Sequence, residues 1–410
     1  MRFVADGVTC NDDGWFGVKI AIVIERYEPW RGGAETSTQE LARLLAAKGH
    51  DVHIVTTTNA SPAHRLTMHR IPGGAMLRPL RMAAFLRRAA RFIEHESFDI
   101  VHAISPLATA DTYQPRGGLA GETLERNVAT RSSRPRQMLK QALQTMSVKR
   151  RSMLELERAV FRESGPVILA VSNYVARQCE RLYGARAPRV RVVFNGVTTD
   201  LPSDEERAAH RAELRSQYHV PDDHLLLLFV AHNFRLKGLG PMIEAASRMV
   251  VAGFDRFRLL VIGRDNPVGY QRRIDSLGLG RHITFTGPSQ RTPAFFCAAD
   301  VLVHPTYYDP CSRVVLEALS VGLPCITTAF NGASEVMADG REGFVIESPD
   351  AVGMMARRIQ ELSDPELRRR MSQRALALRE TISMQRHVDE LETVFREIVE
   401  ARGAVAGGRR

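Results

Sequence analysis

The chain has 410 residues, 44% of them hydrophobic and 25% charged, which suits a globular protein of two or three domains. It contains no apolar run long enough to span a bilayer. Five cysteines without close pairs argue against a disulfide framework or a zinc site, and a net charge of +10 implies an anionic partner, with nucleic acid, phospholipid and phosphorylated sugars all open.

Residues 1–17 read as an N-terminal tail without the apolar core of a signal peptide, so the expected location is cytoplasmic. VKIAIVIE at 18–25 then predicts a strand, Gly32-Gly33 a turn, the Leu41, Leu44, Leu45 spacing a helix stopped by Gly49, and DVHIVTT a second strand. Further strands are predicted at 99–104, 167–171 and 190–194. Between them, 125–163 is dense in Arg and Lys with Met, Leu and Phe at helical spacing. It reads either as a solvated basic face over an ordinary core contact or as an anionic membrane or acceptor surface.

After Asn195-Gly196 the chain turns polar, and apolar runs resume at 225–230, 258–263, 283–287, 300–305, 324–329 and 343–347, each pair separated by room for one helix. Continuously apolar strands alternating with helices predict sheets buried on both faces. The fold class is therefore α/β, with two facing, doubly wound, Rossmann-like domains. Their expected spans are 18–196 and 197–385, followed by a helix and tail over 386–410 that packs back on the first domain. Ligands of such sheets bind beyond the carboxyl ends of the strands, here in the interdomain cleft.

The stretch YYDPCSRVVLEALSVGLP at 307–324 carries the chemistry. Asp309 as N-cap and Pro310 at the first helical position predict a helix whose N-terminal N–H groups, from Cys311 through Ser312 to Arg313, could hold an anion or sugar hydroxyls. Glu317 lies among apolar residues, and a buried carboxylate needs a hydrogen-bond donor, for which a pair of ribose hydroxyls would serve. The competing reading is that Glu317 pairs with an arginine across the domain and Asp309 only caps the helix. In HNFRLKG, Arg235 and Lys237 follow a strand and could neutralise a diphosphate leaving group. Gly32 and Gly33 would let backbone approach the same phosphates.

Together GGAETSTQELARLLAAKGHDVHIVTT, RLKG and YYDPCSRVVLEALSVGLPCITTAFNGASEVMADGREGFVIE resemble the retaining glycosyltransferases of family GT4, which have the GT-B fold. Within that family the motif spacing is similar to that of the bacterial glucosyltransferases that act on lipopolysaccharide core heptose. The resemblance implies that Glu317 binds the ribose hydroxyls of a nucleotide as the second carboxylate of the E-x7-E motif. It places Asp309, one methylene shorter than the usual glutamate, near the transferred sugar. Lys237 matches the family's phosphate-binding lysine. Its arginine partner is usually further upstream, where this chain has His232, so Arg235 takes that role. Gly32, Gly33, Arg264, Pro310, Cys311, Ser312 and Arg313 complete the implied donor site. Gln114 is a possible equivalent of the histidine that many relatives place near the donor sugar, His102 reads more simply as a strand-end residue, and neither is assigned as catalytic.

The resemblance also implies transfer of a sugar, glucose first, from a UDP-type donor to a glycan or glycolipid, with retention and without a metal or other cofactor. No nucleic-acid partner is expected, and the enzyme would lie at the cytoplasmic membrane face. Two rivals stay open: a GT-B enzyme that epimerises or hydrolyses a nucleotide sugar, and a non-catalytic protein that binds anionic surfaces.

Overall fold

A computed structural model describes residues 17–28, 32–58, 65–73, 80–130, 135, 138, 147–186 and 188–407. All but residue 17 of the tail expected at 1–17, and nearly all of 131–146, the middle of the basic stretch, lie outside these residues.

The first domain starts with β1 (Lys19–Val23), α1 (Gly33–Ala47), β2 (Asp51–Thr56), β3 (Leu66–Arg70) and α2 (Arg81–His95). It continues through β4 (Ile100–Ala103), β5 (Thr112–Tyr113), α3 (Ala120–Ala129), α4 (Val148–Val160), β6 (Val167–Ala170), α5 (Asn173–Tyr183) and β7 (Val190–Val192). These strands form one parallel sheet in the order β3-β2-β1-β4-β5-β6-β7. The reversal of winding beside β1 places a crevice beyond the carboxyl ends of β1 and β4.

α6 (Asp204–Gln217) opens the second domain with a reciprocal cap: Ser203 accepts from the Glu206 N–H, and Glu206 accepts from the Ser203 N–H. β8 (Leu225–Val230), α7 (Leu239–Val251), β9 (Phe257–Ile262), α8 (Val268–Ser276), β10 (Ile283–Gly287) and α9 (Thr292–Ala298) follow. The domain ends with β11 (Val301–His304), α10 (Arg313–Ser320), β12 (Cys325–Thr328), β13 (Gly343–Ile346), α11 (Val352–Glu361) and α12 (Pro365–Leu376). Its sheet is also parallel, in the order β10-β9-β8-β11-β12-β13. The chain thus has two Rossmann-like domains, as the apolar runs predict.

Two strands of the first sheet were not foreseen. β3 sits at the sheet edge, where only its first residue, Leu66, is buried. β5 is two residues long and gives no periodic signal.

Two chain crossings join the domains, and they touch: Val197 and Ser383 form a parallel bridge. A methyl group on Gly196 would lie 2.6 Å from the Ser383 carbonyl oxygen and 2.8 Å from Met384 Cα, so only glycine lets the crossings meet there. The second crossing leads into α13 (Met384–Gly407), whose Met384, Val388, Leu391 and Phe395 share a core with Ile20, Leu41 and Leu45 of the first domain. A second apolar cluster runs from Ile168 and Val175 through Cys311, Val315 and Ala333 to Leu226 and Leu302, so the domains are packed together along their shared boundary. Among the described residues no helix is long and apolar enough to cross a membrane.

Candidate active site

The boundary between the domains is built around residues 305–317. β11 ends at His304, and the chain then runs through a bent segment, Asp309 bridging to Asn331, before α10 begins at Arg313. This corrects the expected cap. Asp309 does not cap the helix, because its N–H donates to the Phe330 carbonyl and its carbonyl accepts from the Gly332 N–H. Ser312 is the N-cap residue, and the Asn331 side-chain oxygen, itself fully buried, accepts the Ser312 N–H at 3.1 Å. That N–H is therefore not available to a sugar. Pro310 and Cys311 are buried, and their carbonyls accept from Ser172 Oγ (2.6 Å) and Asn195 Nδ2 (3.2 Å) of the first domain.

Freed from capping, Asp309 makes a part-buried ion pair with Lys237, Oδ2 to Nζ at 2.6 Å, and Lys237 also donates to the Tyr308 carbonyl at 3.0 Å. Lys237 is aimed by its neighbour Gly238. A methyl group there would lie 1.9 Å from the Pro305 carbonyl oxygen, and its φ of +82° suits glycine, so the loop closes directly on the strand end. His304 stands behind the pair, Nε2 at 3.7 Å from Asp309 Oδ2. Burial alone would push the Asp309 carboxyl up, but Lys237 and then His304 outweigh it and hold it at about 2. Burial lowers the His304 pKa against the opposing Asp309 carboxylate, and Nδ1 lacks a partner among the described residues.

The second half of the site is Glu317. Its helix supplies the donor: Arg313, one turn earlier, donates to Glu317 Oε1 at 3.0 Å. The same guanidinium forks onto both oxygens of Glu40 in α1, each at 2.9 Å, and donates to the Gly196 carbonyl at 3.2 Å. An arginine does pair with Glu317, but it lies one turn earlier on α10 and not across the domain. The Glu317 side chain stays about a third exposed (31%), so a ligand can reach it. Burial raises its pKa, opposed by Arg313 and reinforced by Glu40. Gly33, the first residue of α1, packs on the Arg313 stem, where a methyl group would stand 3.3 Å from Cδ. Gly32 is the N-cap of α1.

Other foreseen residues sit further out. Arg235 is exposed, and its charge acts at Tyr270, where burial and then Asp265 raise the phenol pKa and Arg235 opposes them. Arg264 is exposed beside His232, whose pKa falls through partial burial and then the Arg264 charge. His102 is fully buried with Nδ1 2.8 Å from Thr112 Oγ1, and burial lowers its pKa to about 3. Gln114 is also fully buried, its Oε1 accepting from Arg116 Nε at 2.8 Å. Among the described residues no group of three His, Cys, Asp or Glu side chains converges to hold a metal.

Sequence reading missed His304, Glu40, Arg116 and Tyr308. Tyr308 enters the first domain under Gly118: its hydroxyl accepts from the Leu119 N–H at 3.1 Å and donates to Gln178 at 3.2 Å. His304 closing β11 was a readable signal, since strand ends face the cleft. Glu40 lay on an ordinary helix face and gave none.

Comparison with known proteins gives the same outline. The Glycosyltransferase Family 4 model matches residues 31–201, and the Glycosyl transferases group 1 model matches 210–377. The lipopolysaccharide glucosyltransferase WaaG of Escherichia coli K12 is 23% identical over 80% of this chain and 85% of its own. N-acetyl-alpha-D-glucosaminyl L-malate synthase of Bacillus anthracis is 23% identical over 93% and 98%. The crystal structure of WaaG superposes with a TM-score of 0.76 at 21% identity, over 92% of this chain and 99% of that one. Anabaena HepE in complex with UDP-glucose gives 0.68 at 16% identity, over 94% and 100%. A chain whose two domains each match a glycosyltransferase model, and which follows WaaG through both, belongs to the GT4-type glycosyltransferases of GT-B fold.

Proposed function

We propose that this glycosyltransferase moves glucose from UDP-glucose to a glycan or glycolipid acceptor of the lipopolysaccharide-core kind, with retention at the anomeric carbon and without a divalent metal. One observation carries the reading: Lys237 held at 2.6 Å from Asp309, at the end of β11 and eight residues before a solvent-reachable Glu317. Glu317 accepts the ribose hydroxyls, Asp309 faces the sugar, and Lys237 meets the diphosphate, with Arg235 on the same loop. The bond from the anomeric carbon to the β-phosphate oxygen breaks as the acceptor hydroxyl attacks from the same face. The departing phosphate oxygen takes the acceptor proton, giving UDP and the glycoside. WaaG, a lipopolysaccharide glucosyltransferase, and HepE, solved with UDP-glucose, support the donor and acceptor choices.

The test is calorimetric titration of UDP-glucose in excess chelator against wild type and Glu317→Ala. Binding by the wild type, lost by at least about tenfold in the variant, supports the ribose site. No binding by the wild type removes this donor and this metal-free reading together. Free glucose or an epimer formed at full rate without acceptor would favour the hydrolase or epimerase.

A membrane-borne acceptor is consistent with α4, where Val148, Lys149 and Arg151 are exposed together. Replacing Lys149, Arg150 and Arg151 by glutamine is expected to weaken binding to anionic phospholipid vesicles by about 1 kcal/mol per charge. Unchanged vesicle binding removes the membrane from the proposal.

A further inference from the structure

The donor carboxylate does not stand alone; it is one member of a charge cluster built across the domain boundary. Arg313 is the hub, its side chain only 9% exposed. Its fork is fully engaged by Glu40 on α1, and it spares one N–H for Glu317 Oε1 and another for the Gly196 carbonyl at the crossing. Glu317 Oε2 has no partner among the described residues. Behind Glu40 lies a second buried guanidinium, Arg116, which donates to Gln114 and Ser37 and lies 3.0 Å from the His387 ring. Burial, and then the charge of Arg313, lower the Arg116 pKa to about 9 against the opposing charge of Glu40. His387 is kept neutral by burial and then by Arg116. Two guanidiniums and two carboxylates thus balance at the boundary.

We propose that Arg313, clamped by Glu40 and the Gly196 carbonyl, is a positioning residue that keeps Glu317 ionised and leaves its free oxygen aimed at the ribose diol of the donor. This rests on the reading of Glu317 as the nucleotide carboxylate. It adds that Glu40, on α1 of the first domain, sets donor affinity through Arg313 without itself touching the donor. The physical reason is charge: Glu317 stands next to a like charge, Glu40, in a partly desolvated place, and an ammonium or guanidinium between two carboxylates is what lets both ionise. The donor's hydroxyls bind more strongly to the ionised, acceptor-only form of Glu317.

The experiment measures the affinity of UDP-glucose between pH 5 and 8 for wild type, Arg313→Met, Glu40→Gln, the double variant and Glu317→Gln, with urea stability as the control for folding. Arg313→Met is expected to weaken binding by roughly tenfold at neutral pH, the scale of losing one charge-assisted bond. It also moves the acid limb of affinity up by about one pH unit, because Glu317 then faces Glu40 without a cation. In the double variant the limb lies between wild type and Arg313→Met, since the like charge is gone. That variant keeps the net charge of the cluster and gives the readout if Arg313→Met does not fold. In Glu40→Gln the limb does not rise.

A purely structural role would weaken binding equally at every pH and leave the limb in place, and that result overturns the proposal. If Glu317→Gln weakens binding while Arg313→Met leaves affinity and limb unchanged, only this inference fails. If Glu317→Gln binds as wild type, the ribose reading itself fails.

Discussion

Replacing Lys237 by alanine is expected to lower turnover by about one to three orders of magnitude, with kcat falling more than donor KM changes, as for loss of one oriented charge at a leaving group. The same substitution strips Asp309 of the ammonium that holds its carboxyl at about 2. The uncompensated carboxylate then costs about 3–5 kcal/mol of stability, the scale of breaking a buried pair from one side. Asp309→Asn added to Lys237→Ala removes the stranded charge and should recover much of that stability and none of the turnover. Denaturant titration and initial rates on both variants read the two effects separately. A folded Lys237→Ala enzyme with wild-type turnover would take Lys237 out of the chemistry.

Gly118→Ala is expected to destabilise the docked domains by about 2–5 kcal/mol. Two costs combine: overpacking of about 1–3 kcal/mol and a left-handed backbone of about 1–2 kcal/mol for a residue with a Cβ. The geometry is specific. Gly118 has φ +79°, and its missing methyl would overlap the Tyr308 hydroxyl at 2.0 Å and the ring carbon behind it at 2.7 Å. Tyr308→Phe removes the nearest of these atoms, so the Gly118→Ala/Tyr308→Phe pair should be less destabilised than the sum of its parts. Strict additivity in a urea titration would mean that Tyr308 does not sit under Gly118 in solution.

How much of this was readable in sequence depended on the distance over which each feature is encoded. All six strands of the second domain were predicted to within one residue at each end, because most are apolar runs spaced to leave room for a helix between them. The first sheet was less legible, since β3 is a half-exposed edge and β5 is held in place by its neighbours and not by its own composition.

The start of α10 was misread for a definite reason. Asp309-Pro310 is a good local cap, but Asn331, reached only in the folded chain, takes the Asp309 backbone into a bridge and caps Ser312 in its place. The spacing of Asp309 and Glu317 and the RLKG loop were visible as motifs. The partner of Glu317 was half visible, since Arg313 lies one turn away, whereas Glu40 is 273 residues from Arg313 and no local pattern announces it.

The last helix carries a consequence for synthesis. Met384, Val388, Leu391 and Phe395 fill the core against Ile20, Leu41 and Leu45, so the first domain is finished by a segment translated after the second. At about 5–20 residues per second, the gap between Gly196 and Phe395 leaves that apolar face uncovered for roughly 10–40 s. During that interval the nascent chain presents a sticky half-core, the kind of surface that holdase chaperones occupy, and a stop codon before Phe395 would leave it open for good.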